Sequence, residues 1–183
     1  DEGLNSFSVP AASGGFSATE LEDADGFQSV WYYNATSGEW VNWVPADGSD
    51  AAPFIEGGEG YLVEMSQQST VDINVNTQPG LDDPFPTTQT LDEGWNLVGH
   101  YQEGAQAANG GTNNDAFDSI ADNYETDSIY AQSGADPVAY EILPADGDAD
   151  ITPGEAYWVR ITADGVVYSE EPMATGGAPV TDG

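Results

Sequence analysis

The strongest constraint on this chain is that it matches itself. Three short sequences occur twice and in the same order: PADG at 45–48 and 144–147, Gly-Glu-x-Tyr at 58–61 and 154–157, and Asp-Glu-Gly-x-Asn at 1–5 and 92–96. The chain has 183 residues, so two copies would have roughly 90 residues each, near the lower limit for a domain with its own core. The sequence therefore predicts two tandem copies of one module.

The match between the copies changes register only in stretches rich in Gly, Asn and Asp, where insertions belong in loops. Between the copies lies NTQPGLDDPFPTTQT, rich in Pro, Thr and Asp and typical of a linker. We expect a first module at 1–78, a linker at 79–90, a second module at 91–175 and a flexible tail at 176–183.

Within each copy the residue pattern is mostly that of β-strands. SVWYYNATSGEWVNWV consists of two aromatic and β-branched runs around a turn, which predicts a hairpin. GEGYLVEM alternates, and this pattern predicts Tyr61, Val63 and Met65 on the core face with Leu62 and Glu64 on the other. The second copy repeats the pattern, with Tyr157, Val159 and Ile161 predicted to face the core.

One short helix is expected in each copy. Ser17 precedes Glu20 by three residues in SATELEDA, which is a helix-start pattern, and NNDAFDSIAD places apolar residues at helical spacing. Together with the strand pattern, the prediction is a mainly β protein made of two small sandwich-like or barrel-like domains, each with one short helix.

The charge balance limits the partners that the chain can bind. It has 33 acidic residues against one Lys or Arg, a formal net charge of −32 at pH 7. Binding to nucleic acid or to an anionic membrane surface needs Lys and Arg, so neither partner is expected. Disorder is not expected either, because 39% of the residues are hydrophobic. Such a composition resembles that of folded proteins from strongly saline habitats.

Three segments carry a resemblance to a known family. GWNLVG at 94–99, VWYYNATSGEWVNW at 30–43 and PGEAYWVRITADG at 153–165 resemble a β-rich module of archaeal, in particular haloarchaeal, cell-surface and S-layer-associated proteins. In that family a Gly-Trp-Asn strand precedes a short helix, an aromatic hairpin and a PGEGYWV strand. The chain departs from the pattern at Leu4, at Leu62 and at Ala139, which aligns with Trp40.

The resemblance implies a non-enzymatic extracellular protein. The expected role is that of a structural building block in a surface layer, filament or virion-type shell of an extreme halophile. Its partners would be further copies of itself or neighbouring surface proteins, without insertion into a membrane. The alternative is an adhesion module that binds glycans or another ligand.

A hairpin rich in aromatic residues is the candidate ligand site. It contains Trp31, Tyr33, Trp40 and Trp43. Flat aromatic surfaces beside Asp and Asn stack sugars, whereas small β-domains also fill their cores with alternating aromatics. Core packing, sugar binding and contacts between copies all remain open for these side chains.

Two further candidate sites lie in predicted loops. Asp146, Asp148 and Asp150 resemble the start of a calcium-binding loop, but Ile151 and Tyr157 stand where an EF-hand needs Gly and Glu. An irregular calcium site is the alternative to a set of solvated acids, and no other cofactor is predicted. Asn34, in the sequon Asn-Ala-Thr, is a candidate glycosylation site.

Catalysis is not predicted. His100 and Arg160 are the only basic side chains, and no Gly-x-Ser-x-Gly sequence accompanies the histidine. Pairs of carboxylates suited to glycoside hydrolysis are uninformative in a chain with 33 acids. The chain also has no cysteine, so disulfides and thiolate metal sites are excluded.

Overall fold

The chain is mainly β, with several antiparallel sheets. A computed structural model describes residues 1–10, 15–45, 51–70, 88–100, 106–107, 116–135, 138–143 and 150–168. Two four-stranded sheets dominate it, one formed by residues before 71 and one by residues after 87. We call these the first sheet and the second sheet, and the two parts of the chain the first half and the second half.

The described residues of the first half form six strands. They are β1 (Gly3–Ser8), β2 (Phe16–Ser17), β3 (Phe27–Asn34), β4 (Glu39–Trp43), β5 (Phe54–Ile55) and β6 (Gly60–Met65). The first sheet has the order β1-β6-β3-β4, and β2 pairs with β5. All of these pairings are antiparallel.

In the second half, eight strands lie within the described ranges. They are β7 (Gln89–Leu91), β8 (Gly94–Gly99), β9 (Gln106–Ala107), β10 (Tyr124–Ala135), β11 (Val138–Ile142), β12 (Asp150–Ile151), β13 (Ala156–Ile161) and β14 (Val166–Tyr168). The second sheet has the order β8-β13-β10-β11, while β9 pairs with β12 and β7 with β14. Strand β7 pairs with β14 of the second half. It includes residues 89 and 90, which were the last two residues of the predicted linker.

Short helices lie where they were predicted, and both are 3₁₀ helices. The first spans Ala18–Asp23, and the Oγ atom of Ser17 accepts a hydrogen bond of 3.4 Å from the backbone N–H of Thr19. The second spans Asp118–Ile120. Buried residues of each helix, Leu21 and Ile120, pack into the core beside the nearest sheet.

The repeated Asp-Glu-Gly-x-Asn sequence forms a turn that enters an edge strand. The side-chain N–H groups of Asn5 donate to the backbone oxygens of Asp1 and Gly3, at 2.8 and 3.0 Å. Asn96 makes the corresponding bonds at 2.8 and 3.1 Å. Gly3 and Gly94 have φ of 100° and 107°, a backbone conformation that favours glycine. The motif is therefore explained by local folding.

The repeated Gly-Glu-x-Tyr sequence also has a structural role. The Tyr61 hydroxyl accepts a hydrogen bond of 2.9 Å from the Glu56 N–H and donates one of 2.8 Å to the Glu59 carboxylate. Tyr157 makes the corresponding two bonds at 2.8 and 2.9 Å. In each half the tyrosine thus connects the start of a central strand to the loop before it.

Each sheet has an outer face covered by its own half. Tyr61, Val63 and Met65 are buried against the first helix and the strand pair β2–β5. In the second half, Tyr157, Val159 and Ile161 occupy the equivalent core with residues from β7, β12 and β14. The alternation in these strands correctly predicted all six core residues.

The inner faces of the two sheets pack against each other. Leu62, Leu97 and Ala156 form this third buried cluster, and partly buried Leu4, Trp31, Tyr33 and Trp158 surround it. We call this contact the junction. Leu62 was predicted on the face opposite the core, and it is buried because the second sheet covers that face.

The junction between the two sheets as a candidate functional site

Two backbone hydrogen bonds cross the junction in a reciprocal way. The N–H of Ser8 donates to the carbonyl oxygen of Gly154 at 3.1 Å, and the N–H of Gly99 donates to that of Gly58 at 2.8 Å. Ser8 and Gly99 stand at matching positions of the repeated sequence, as do Gly58 and Gly154. The two halves therefore contact each other through the same backbone groups.

The backbones approach closely at the centre of the junction. A Cβ atom added at Gly99 would lie 2.5 Å from the Cβ atom of Ser8. One added at Gly60 would lie 2.6 Å from Cγ of Leu97 and 3.0 Å from Cβ of Ala156. Neither distance leaves room for a methyl group, so glycine is required by packing at both positions.

The free edge of β1 is covered by the second half. The side-chain amide of Gln132 accepts a hydrogen bond from the Ser6 N–H and donates one to the Leu4 carbonyl. These are backbone groups on the edge of β1 that does not face β6, and an open edge of this kind is a template for pairing with another chain. The N-terminal strand is therefore integrated into the fold and offers no open edge along these residues.

An aromatic cluster lies within the junction. Its members are Tyr33, Trp40, Trp95, Tyr130 and Trp158, which we call the junction aromatics. Trp158 lies at the centre, with ring centroids 5.1 Å from Tyr33, 5.6 Å from Trp40 and 6.4 Å from Trp95. Interplanar angles in these pairs are 72°, 84° and 88°, so the rings pack edge to face. Trp40 and Trp95 remain 39% and 37% exposed.

The structure separates the four aromatic residues that the sequence singled out. Tyr33 and Trp40 belong to the junction aromatics, and Trp31 lies on the same face, where its indole N–H donates to the Ser29 hydroxyl at 2.8 Å. Trp43 points to the opposite face, where its ring centroid lies 6.2 Å from that of Phe27. The rings of Tyr33 and Trp40 are inclined by 64°, so these two rings do not form a flat surface.

The second half contributes site members that sequence reasoning missed. Trp95, Tyr130 and Trp158 complete the cluster. The register of β11 also shows which of its residues corresponds to Trp40. Tyr140 pairs with Gln132 as Trp40 pairs with Tyr33. Tyr140, and not Ala139, therefore occupies the position of Trp40. The gapless match was wrong by one residue here because β10 contains an irregularity between residues 132 and 134, and a shift of one residue exchanges the faces of a strand.

A cavity of about 220 Å³ lies on the outer side of the first sheet. Its lining includes Tyr32, Val41, Asn42, Trp43 and Tyr61. The walls are mostly apolar with a few polar groups, which is the composition of small-molecule sites. Of the four predicted ligand-binding aromatics, Trp31 and Trp43 line this cavity, whereas Tyr33 and Trp40 do not.

Burial raises the pKa values of Glu59, Tyr61 and Tyr157. Burial raises the pKa of Glu59, although the hydrogen bond from Tyr61 acts in the opposite direction. Burial and then the charge of Glu59 raise the pKa of Tyr61. In the second half, burial raises the pKa of Tyr157 to about 12. Both hydroxyls stay protonated at neutral pH and act as hydrogen-bond donors, so they serve the fold and do not supply a base.

The other predicted sites have the following surroundings. The Asn34 side-chain oxygen accepts a hydrogen bond of 3.0 Å from the Ser37 N–H within the β3–β4 turn. Asp146 and Asp148 lie outside the described residues, as does most of each PADG sequence, and Asp150 is exposed in β12. Among the residues that the structure describes, no group of three or more His, Asp or Glu side chains is placed to hold a metal ion.

The two basic residues differ in their exposure to solvent. His100 is fully buried, whereas Arg160 is exposed on β13, in register with Trp95. None of the helices in the described parts of the chain has the length and apolarity needed to cross a bilayer.

Comparisons of the chain with protein-family models, with curated proteins and with solved structures find no match.

Proposed function

We propose that the chain consists of two tandem copies of one β module. The order of strands supports this, since β1-β6-β3-β4 and β8-β13-β10-β11 place the repeated sequences in the same positions. Gly3–Ser8 corresponds to Gly94–Gly99, and Gly60–Met65 to Ala156–Ile161, with the same lengths. The matching hydrogen bonds of Asn5 and Asn96, and of Tyr61 and Tyr157, add to this support.

The function that the geometry supports best is that of an assembly unit. We propose a non-enzymatic building block of an extracellular surface layer, filament or virion-type shell of an extreme halophile. The resemblance of the GWNLVG and PGEAYWV segments to haloarchaeal surface proteins agrees with this role. So does the acidic composition, because a net charge of −32 needs concentrated salt to keep copies from repelling one another.

Two open strand edges carry the proposal. β4 and β11 end their sheets, each pairs on one side only among the residues that the structure describes, and their residues are almost all exposed. Val138, Tyr140 and Ile142 on β11 are 38%, 40% and 51% exposed, and Val41 on β4 is 40% exposed. Soluble monomers cover or charge such edges. The edge of β1 is covered by Gln132, and β8 is bridged at Val98 and Gly99 to residues 58–59 of the first half. Among the described residues, the exposed edges that carry the proposal are therefore those of β4 and β11, at the far ends of the two sheets.

Light scattering in molar KCl across protein concentration tests this proposal. Association that grows with concentration is expected for the natural chain. Ile142→Lys should reduce it, because a buried ammonium at a new strand pair is costly. Gln67→Lys is the matched control, since Gln67 is exposed and lies beyond β6, away from both open edges. A monomer at all concentrations would contradict the assembly role.

Binding of glycans is the second candidate function. The cavity beside Trp43 and the partly exposed Trp40 favour it. Tryptophan fluorescence tests it, and a sugar that binds in the cavity should alter emission in the natural chain but not in Trp43→Leu. The edge-to-face packing of Trp95 against Trp158 supports a structural role for these two tryptophans.

A further inference from the structure

The centre of the junction is not symmetric in side-chain size. Ser8 faces its counterpart Gly99, and Gly60 faces its counterpart Ala156. In each case a residue with a side chain opposes a glycine. Positive φ does not explain these glycines, since both lie outside the left-handed region. They are explained by the atoms that face them.

If two first halves or two second halves paired with each other, one of these glycines would be replaced by a residue with a side chain. In a pair of first halves, Ser8 would stand where Gly99 does, and its Cβ atom would fall about 2.5 Å from the other Ser8 Cβ, the distance found for a Cβ added at Gly99. In a pair of second halves, Ala156 would replace Gly60 and would meet Leu97 at 2.6 Å and the other Ala156 at 3.0 Å. Backbones that touch cannot absorb such overlaps without moving apart.

A second feature also distinguishes the two sides. Gln132 bonds to the edge of β1, whereas its sequence counterpart, Tyr33, packs against Trp158. The first half therefore contributes the edge of β1, whose backbone groups need a polar partner. The second half contributes the indole of Trp158, against which Tyr33 packs. Discrimination between partners commonly combines attraction with built-in collisions of this kind.

We infer that the inner face of each half is a pairing surface specific for the unlike half of this chain. The partner that this surface takes is thus a complementary half, from the same chain or from a second copy with halves exchanged. The inference rests on the proposed duplication. It goes beyond the assembly role, because it states which of the possible half-to-half contacts can form.

Exchanging the two central residues tests the inference in the full chain. Gly99→Ser creates a serine pair and should lower the Tm by more than 5 °C. Adding Ser8→Gly to this variant again leaves one serine facing one glycine, with the two positions exchanged. The Ser8 hydroxyl donates a hydrogen bond to the backbone carbonyl oxygen of Glu155. A Cβ atom at position 99 would lie 3.0 Å from the backbone carbonyl oxygen of Glu59. The exchange removes both contacts with the Ser8 side chain and leaves the approach to the Glu59 oxygen, so we expect most of the lost Tm to return.

A second exchange guards against a variant that fails to fold for other reasons. Gly60→Ala should destabilise the chain, and Ala156→Gly should recover part of the loss. If both double variants are as unstable as the single glycine variants, or if Gly99→Ser is harmless, the inference is overturned.

Partner choice is measured on the full chain after cleavage. A protease site is inserted between residues 71 and 87, and cleaved chains with and without a histidine tag on the first half are mixed in molar KCl. The tagged first half should capture untagged second halves at 1:1 and no untagged first halves. Capture of first halves in similar amounts would contradict the inference. Intact chains that stay monomeric while this pairing rule holds would overturn only the assembly proposal.

Discussion

The Tyr61 hydroxyl donates a hydrogen bond of 2.8 Å to the carboxylate of Glu59, two residues earlier in the chain. The same hydroxyl accepts from the Glu56 N–H, so one side chain satisfies a backbone donor and holds a partly buried acid. Tyr157 makes the corresponding two bonds in the second half, to the Thr152 N–H and to the exposed carboxylate of Glu155. The relationship explains why Glu and Tyr recur together in the sequence, and it is the basis of the first two predictions.

Removing the charge of Glu59 should stabilise the protein at neutral pH. Its folded-state pKa is raised, so the ionised form is disfavoured by folding, and that cost appears as pH rises above the unfolded value of about 4.5. Glu59→Gln should raise the Tm at pH 7, with the difference from the natural chain vanishing as pH falls below about 4.5. Thermal unfolding at fixed molar KCl measures this. Glu155→Gln, at the exposed counterpart, controls for losing one acid, and an equal effect of both variants would contradict the account.

Deleting either tyrosine hydroxyl should destabilise the fold to a similar extent. Tyr61→Phe and Tyr157→Phe each leave a backbone N–H and a carboxylate without this partner, which costs about 1–3 kcal/mol. Denaturant unfolding gives both values. Similar losses are expected if the two halves use the residue in the same way, whereas a loss confined to one half would argue against equivalent roles.

Trp158, at the centre of the junction aromatics, should contribute more to stability than Trp43, which lies outside them. Trp158 contacts Tyr33, Trp40 and Trp95, so Trp158→Ala removes packing between the sheets and should cost about 3–5 kcal/mol. Trp43→Ala is the comparison, since Trp43 lies on the other face and contacts Phe27. The prediction is a lower Tm for Trp158→Ala together with faster hydrogen exchange at the N–H groups of Ser8 and Gly99. Exchange unchanged at those two amides would contradict it.

Salt should stabilise the folded chain strongly. The net charge is −32 at pH 7, and the Debye length falls from about 10 Å at 0.1 M salt to about 3 Å at 1 M. We expect the Tm to rise steadily with KCl over this range. A Tm independent of salt would show that repulsion among surface carboxylates does not limit stability.

Local patterns predicted local structure well. Alternation placed Tyr61, Val63 and Met65 in the core because side chains on a strand alternate between two faces. Ser17 marked the start of the first helix, which is 3₁₀. Both successes depend on residues close together in the chain.

Features that depend on the contact between halves could not be predicted in the same way. Leu62 is buried only because the second sheet covers its face, and the bonds from Gln132 reach residues more than a hundred positions earlier in the chain. Tyr140 was not matched with Trp40 in the sequence because an irregularity in β10 changes the register of β11. The candidate site was therefore predicted only in part, since half of it comes from the other sheet.

Cross-linking between copies tests the assembly role most directly. The chain has no cysteine, so single cysteines can be placed at the middle of each open edge, as Tyr140→Cys on β11 and Val41→Cys on β4, with Gln67→Cys as the control. Under mild oxidation in molar KCl, we expect disulfide-linked dimers from the edge variants, alone or when the two are mixed, well above the control. Cross-linking no greater than that of Gln67→Cys, alone and in the mixture, would contradict pairing of the open edges.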